Sequence, residues 1–246
     1  MTSKRLDQLL VDLNYYETRA RARDAIKRGC VEVDGKCATK PAVAANADQV
    51  INITDDALFY VSRAALKLIH GLDVFSFNPN GEVCVDIGAS TGGFSQVLLE
   101  RGANRVFAVD VGHSQLAEPL RSNPNLINLE KLNARDLTRQ HLDGQLPGLV
   151  VSDVSFISLK LALPPALALA KDGASCILLV KPQFEVGRSM VGKNGLVSSA
   201  TAQQCAEDLR FWLDAMPGWT SKGLVQSPIK GGDGNQEYLL AGRKDG

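Results

Sequence analysis

The stretch Val83 to Ser95 constrains the fold of this chain more than any other: Val-Cys-Val-Asp-Ile-Gly-Ala-Ser-Thr-Gly-Gly-Phe-Ser. It opens as a short apolar run rich in β-branched residues, passes Asp86, and breaks into a glycine-rich turn at Gly88, Gly92 and Gly93. Apolar residues at helical spacing resume with Phe94, Val97 and Leu98. Strand, tight loop and helix in this order form the opening unit of a nucleotide-binding α/β sheet. The glycines let backbone approach a ligand closely, and the helix start offers N–H groups without intrahelical partners.

The rest of the sheet follows at intervals suited to βαβ units. Val106 to Val109 ends in Asp110, and Leu126 to Leu129 precedes Asn133-Ala134-Arg135-Asp136. Leu149 to Val151 ends in Ser152-Asp153, and Cys176 to Val180 ends in Lys181-Pro182. Leu224-Val225 leads to Pro228, and Glu237 opens Tyr238 to Ala241. Helices are expected near Gln96 to Arg101, Leu159 to Ala170 and Ala200 to Ala215, and another over Tyr60 to Gly71 with Ser62 as its cap. The fold class is therefore α/β. Ligands of such sheets bind outside the carboxyl ends of the strands. Asp86, Asp110, Asp153 and Lys181 all fall at strand ends, and four charges at one rim are costly unless a ligand or one another satisfies them. Glu237 joins that rim if its strand runs antiparallel. Lys67 lies on the helix before the sheet, and sequence alone does not place its side chain. The segment Phe184 to Gly195, rich in glycine and charge, reads equally as a lid or as a surface loop.

Two cofactor classes compete for the glycine loop. The dinucleotide pattern G-x-G-x-x-G needs glycines at 88, 90 and 93, and Ser90 breaks it. Asp110 suits a ribose diol in either class, because a carboxylate accepts two hydroxyl hydrogens. Asp86 and Ser90 favour S-adenosylmethionine. The loop, with Asp110-Val111-Gly112 and Asn133-Ala134-Arg135-Asp136, resembles the cofactor site of the Rossmann-like class I methyltransferases. That resemblance implies a binding set of Asp86, Gly88, Ala89, Ser90, Thr91, Gly92, Gly93, Phe94, Asp110 and Val111, with Asp136 near the adenine.

The residues before the sheet read as a separate small α+β domain. Leu6, Leu9, Leu10 and Leu13 give a short helix, and a second runs from a Thr18 cap to Gly29. Arg19, Arg23 and Lys27 recur every fourth residue on it and share a face. Val31 to Asp34 leads into an Asp34-Gly35 hairpin turn, and Val50 to Ile53 is a further strand. Formal net charge is zero, from 27 basic and 27 acidic residues. Any nucleic-acid contact must then come from a local patch, and this helix supplies one. Arg5-Leu6-Asp7-Gln8-Leu9-Leu10, Thr18-Arg19-Ala20-Arg21-Ala22 and Ile26 to Gly35 resemble the S4 RNA-binding domain. The resemblance implies RNA contacts by Arg5, Arg19, Arg21, Arg23, Lys27 and Arg28, and Arg63 of the next segment is grouped with them. The S4-like domain is expected over residues 1–58 and the larger domain over 59–246, joined by a linker near 54–61 marked by Asp55-Asp56.

Lys67, Asp153, Lys181 and Glu237 resemble the Lys-Asp-Lys-Glu tetrad of the ribosomal RNA 2′-O-methyltransferases related to FtsJ. The motifs are Ser-Arg-Ala-Ala-Leu-Lys, Val-Ser-Asp-Val-Ser-Phe-Ile-Ser, Val-Lys-Pro-Gln-Phe-Glu and Gly-Asn-Gln-Glu-Tyr-Leu. With the S4-like part in front, nearly the whole chain is similar to the TlyA family, often named haemolysins, which methylate cytidine 2′-hydroxyls of ribosomal RNA. His113 stands where that pattern leads one to expect an aromatic such as tyrosine. The resemblance implies a cytoplasmic enzyme acting on ribosomal RNA or a ribosomal subunit, with no obligate protein partner. Short ends point within the family to a large-subunit cytidine. Lys181 is the expected general base, with Lys67 as a like-charged neighbour to ease its deprotonation and the two acids to orient the lysines and the ribose.

Three other classes stay open at this point: a catalytically silent RNA-binding assembly factor, a membrane-lytic protein, and a dehydrogenase, which Ser90 disfavours. No basic-then-apolar leader opens the chain, and no apolar run reaches the roughly 18 residues of a membrane span. The five cysteines are scattered, with no paired spacing that suggests zinc.

Overall fold

A computed structural model describes residues 3–245. They separate into two compact units, one ending at Phe59 and the other starting at Tyr60.

The first unit contains β1 (Lys4–Arg5), α1 (Leu6–Asp12), α2 (Arg19–Lys27), β2 (Val31–Val33), β3 (Lys36–Cys37), β4 (Ala44–Ala45) and β5 (Ile51–Ile53). Thr18 caps α2 by accepting from the Arg21 N–H at 3.3 Å. Leu6, Leu9 and Leu10 of α1 meet Ala22, Ala25 and Ile26 of α2 in a small core that also holds Tyr16 and Val31. Asp34 and Gly35 both have positive φ, 50° and 73°, as a two-residue hairpin turn between β2 and β3 demands. The expected linker is corrected in its first half. Asp55 is buried, accepts from the Tyr16 hydroxyl at 3.0 Å and pairs with Arg28. The turn Asp56–Phe59 is likewise held by a 2.8 Å bond from Arg21 to the Ala57 carbonyl. Two bases and a phenol, from α2 and the residues flanking it, fix this stretch, so it is part of the unit and not a free tether.

The second unit contains α3 (Ala65–Phe75), β6 (Val83–Ile87), α4 (Gly93–Glu100), β7 (Arg105–Asp110), α5 (Glu118–Arg121), β8 (Leu126–Glu130), β9 (Leu149–Ser152), α6 (Leu159–Ala162), α7 (Pro164–Leu169), β10 (Ser175–Val180), α8 (Pro182–Glu185), α9 (Ser199–Asp214), β11 (Trp219–Gln226) and β12 (Tyr238–Lys244). Seven strands form one sheet in the order β11-β12-β10-β9-β6-β7-β8. The strands from β10 to β8 are parallel, and β12 is antiparallel to both its neighbours. From β6 the chain builds outward through β7 and β8, then returns to add β9 and β10 on the other side. That reversal opens a crevice at the carboxyl ends of β6 and β9.

Alternation along the strands sends their side chains into two separate cores, as expected for a parallel sheet covered on both faces. Val85, Ile87, Phe107 and Val150 face the α6, α7 and α9 side. Cys84, Val106, Val151 and Ile177 face α3 and α4. Two helix expectations are corrected. The helix α3 starts at Ala65, and Ser62 instead accepts from the Ala64 N–H at 3.2 Å in the preceding turn. The helix expected over Leu159 to Ala170 divides, because Pro164 supplies no N–H and opens α7. The Phe184 to Gly195 segment carries the short turns Arg188–Met190 and Lys193–Gly195 after α8. The buried Asn235 amide donates to the Gly195 carbonyl and accepts from the Val197 N–H, both at 2.9 Å.

Candidate active site

The register of β10 against β12 pairs Val180 with Tyr238. The next residue outward on one strand is Lys181, and on the other Glu237. Glu237 is thus brought to the rim where the parallel strands end. Lys67 reaches the same place from α3: it is buried, and its Nζ lies 2.5 Å from Glu237 Oε2. Lys181 Nζ lies 2.6 Å from Asp153 Oδ1 and donates to Ser155 Oγ at 2.7 Å. The four residues therefore stand as two lysine–carboxylate pairs. Each ammonium faces an acid, where the sequence led us to expect the two lysines to act on one another. All four line one cavity of about 520 Å³, together with Arg63, Ser155, Phe156, Gln183, Phe184 and Asp233.

On the other side of Asp153, the glycine loop forms an adjoining cleft. Gly88 has φ +84°, and a Cβ there would stand 3.0 Å from the Val154 backbone. Only glycine permits that approach of the β6 loop to the segment after β9. Gly88, Ala89, Ser90, Thr91, Gly93 and Phe94 line a small pocket with Asp86, Asp153 and Lys181. Gly92 does not line it: its φ is +93°, and it lies against Leu116 and Leu120, beneath the loop. A larger cleft of about 550 Å³ continues past Gly88, Ser90, Asp110, Val111 and Gly112 to Leu132, Asn133 and Ala134.

Asp110 shapes this cleft by accepting from the Ser90 N–H at 2.8 Å and the Gly112 N–H at 2.7 Å. Each oxygen keeps a lone pair for a further donor such as a ribose hydroxyl. Asp86 is fully buried; one oxygen accepts from Ser95 Oγ at 2.7 Å, and Oδ1 has no partner. Burial pushes its carboxyl up to about 7, and the nearby charges of Asp153 and Asp110 add to the shift. A buried carboxylate with an unused oxygen beside a glycine cradle suits a ligand carrying a cationic group. The residues present therefore fit S-adenosylmethionine.

Asp136 is corrected. It is exposed and does not line the cleft, where Asn133 and Ala134 stand instead. In the turn Ala134–Asp136, the inward positions are Ala134 and Leu137, three residues apart, which turns Asp136 outward. His113 also lies outside the lining, at 3.3 Å from Glu130. Glu130 accepts from the Ser114 and Gln115 N–H groups; the Ser114 bond, followed by one from the Asn128 side chain, holds its carboxyl down to about 2. Ser155, Phe156 and Phe184 lie within two of the tetrad motifs, but the sequence assigned them no individual role. Ser155 stands just past Asp153, and that proximity was the available signal. Phe156 is 89% exposed with φ +68°, and its ring lies 4.9 Å from that of Phe184. Nothing in its neighbours' spacing foretells this.

In the first unit, α2 turns Arg19, Arg23 and Lys27 to solvent. Arg19 and Arg5 share the buried Asp7, at 3.2 and 2.9 Å, while their side chains stay half exposed. Arg21 is held by Glu17 and the Ala57 carbonyl. Arg28 is corrected as an RNA contact. Its side chain is 15% exposed, and its donors go to Asp24 at 2.7 Å and to both oxygens of Asp55 at 2.8 and 2.9 Å. Two acids inside the unit occupy the groups a phosphate would need. Arg63 lies in the second unit, at the cavity of the lysine–acid pairs.

The pattern of the FtsJ-like methyltransferases matches residues 60–244, and that of the S4 domain matches residues 4–51. A Mycobacterium tuberculosis relative is named 16S/23S rRNA (cytidine-2'-O)-methyltransferase TlyA. It is 42% identical over 245 residues, spanning 96% of this chain and 88% of the relative. A Campylobacter jejuni relative, named 23S rRNA (cytidine-2'-O)-methyltransferase TlyA, is 41% identical over 183 residues, spanning 73% of this chain and 69% of its own. A solved structure from Streptococcus thermophilus, described as a proposed hemolysin, is 38% identical with a TM-score of 0.76, covering 100% of this chain and 90% of that one.

Proposed function

The chain belongs to the FtsJ-like methyltransferase family, with an S4 domain ahead of the methyltransferase unit, and we propose that it methylates the ribose 2′-OH of a cytidine in large-subunit ribosomal RNA. The donor in this reading is S-adenosylmethionine, and the site of action is the cytoplasm, on the RNA or the subunit. One observation carries it: the Lys181–Asp153 pair borders both the cleft beside the glycine loop and an open cavity, which the Lys67–Glu237 pair also lines. The Mycobacterium relative is named for 16S and 23S cytidine 2′-O-methylation and the Campylobacter relative for 23S alone; both support ribosomal RNA, and the second supports the large subunit.

Bound in the cleft, S-adenosylmethionine supplies an electrophilic methyl group. The chain's own work is to place a weak nucleophile in line and to remove its proton. In this reading Asp153, shared by both cavities, orients the hydroxyl. Lys181, fixed by Asp153 and Ser155, first gives one ammonium proton to solvent and, as the neutral amine, then takes the hydroxyl's proton, which becomes acidic as the oxygen bonds to carbon. Lys67 and Glu237 form the buried wall behind them and hold the ribose. The exposed Phe156 ring at the cavity offers a face on which a base can stack.

The test is to map 2′-O-methyl positions in ribosomal RNA from cells with and without the protein. A large-subunit cytidine that gains the mark only with the protein is expected. Lys181→Ala should abolish that mark while cofactor binding persists. Near-normal turnover by this variant would remove Lys181 as the base, and absence of any added mark would point to a silent RNA-binding factor. Among the described residues no helix is long and apolar enough to cross a membrane.

A further inference from the structure

We infer that Glu185, outside the tetrad, is a positioning residue that fixes the reacting centre by fastening the segment after β9 to the segment after β10. The inference rests on the reading of Asp153 and Lys181 given above.

Asp153 and Lys181 leave the sheet on adjacent parallel strands, and each begins a segment that is not itself part of the sheet. The two segments run side by side with contacts along their length. Lys181 binds Asp153 and Ser155 at the strand ends. Phe156 packs on Phe184 further out. At the far end Glu185 closes the series. Its Oε1 accepts from the Leu159 N–H at 2.7 Å, and its Oε2 accepts from Ser158 Oγ at 2.5 Å. These bonds satisfy the start of α6, where backbone N–H groups lack intrahelical partners.

Between the two ends sits Phe156, with φ +68°. A bulky residue in the left-handed region costs free energy and persists only when its surroundings over-determine it. The ion pair at Asp153 holds one side of this kink, and Glu185 holds the other. Release of Glu185 frees the kink to relax, and Asp153 and Ser155 move with it. The chemistry is sensitive to such a shift: a displacement near 1 Å costs on the order of 100-fold in rate. Glu185, Ser158 and Leu159 do not line the cofactor cleft themselves, but Asp153, Val154, Ser155, Phe156 and Ile157 of the tethered segment do. A cavity of about 550 Å³, lined by Glu185, Lys160, Thr201, Gln204 and Asp208, lies behind the carboxyl group. Water entering from it can solvate the space left by truncation but does not restore the link between segments.

The test measures steady-state methyl transfer by the full chain to unmodified large-subunit RNA. Glu185→Ala is expected to lower kcat by about 10- to 100-fold, with a smaller rise in KM for S-adenosylmethionine, because the freed segment lines both cavities. Glu185→Gln retains an acceptor for Leu159 and gains a donor for Ser158, so its kcat is expected within about 3-fold of the parent. Unchanged kcat in Glu185→Ala overturns the inference. So does a loss of kcat that tracks a loss of folded protein in thermal melting, which marks general damage. Equal loss in the Ala and Gln variants overturns it too, since charge and not tethering then matters. If Glu185→Ala does not fold, Ser158→Ala, which removes one of the two bonds to Glu185, decides: a lowered kcat in a variant that melts like the parent supports the tether, and an unchanged kcat overturns it. Should Lys181→Ala keep turnover, the reading of the tetrad fails first; a dead Lys181→Ala beside a fully active Glu185→Ala defeats this inference alone.

Discussion

Asp86 shows how one side chain records both its burial and its purpose. It sits at the end of a strand whose other residues are apolar, and burial raises its carboxyl to about 7. Its unfolded-state value is near 3.8. The folded, ligand-free protein therefore holds this proton more tightly than the unfolded chain does. The resulting stabilisation is complete below pH 3.8 and is lost as pH rises to about 7. It amounts to at most about 4 kcal/mol, at 1.36 kcal/mol per pH unit. Comparison of denaturation at pH 4 and pH 7.5 should show this fall in the parent and a flatter response in Asp86→Asn. A cationic ligand group reverses the preference and favours the carboxylate. Affinity for S-adenosylmethionine should then weaken as pH drops through about 7, with proton release on binding visible by calorimetry in two buffers. The same titration with Asp86→Asn should be nearly independent of pH.

At the scale of elements, the loop from Gly88 to Gly93 is legible because its backbone demands are severe. Gly88→Ala should be poorly tolerated: the added methyl meets the Val154 backbone at 3.0 Å, and φ +84° is itself unfavourable. A loss of about 1 to 3 kcal/mol in stability and at least about 10-fold in cofactor affinity is expected, read by thermal melting and calorimetry. The strand ends were legible for a related reason, since an acid or lysine closing an apolar run has few places to go. Turns without glycine were harder. Nothing local in Asn133-Ala134-Arg135-Asp136 says which residue faces the cleft; Leu137, drawn into the core, decides it. The Phe184 to Gly195 segment offered two readings, and its anchor, Asn235, lies far along the chain.

At the scale of the whole molecule, zero net charge means that RNA must be met by local patches, and α2 has the clearest one. Paired replacement of Arg23 and Lys27 by alanine should weaken RNA binding. The slope of log affinity against log salt should shrink by about 1 to 2, because each lost phosphate contact releases fewer counterions. Arg28→Ala should behave differently. It strands Asp55 in a buried site and should cost about 3 to 5 kcal/mol in the stability of the first unit. Melting followed beside salt-dependent binding separates the two outcomes.

The sequence by itself determined the α/β class, the glycine loop, the strand-end charges and the motif set that leads to a methyltransferase. These are local properties: periodicity, backbone freedom and the cost of a charge after an apolar run. It also grouped six basic residues of the first unit as RNA contacts without distinguishing them. Only the tertiary structure decided that Arg28 is committed to Asp24 and Asp55, that Lys67 reaches Glu237 across the unit, and that the lysines stand opposite acids and not opposite one another. The pairings with Asp55, Glu237 and Asp153 depend on which distant side chain fills the space, and in a low-dielectric interior the nearest opposite charge takes precedence over any pattern along the chain.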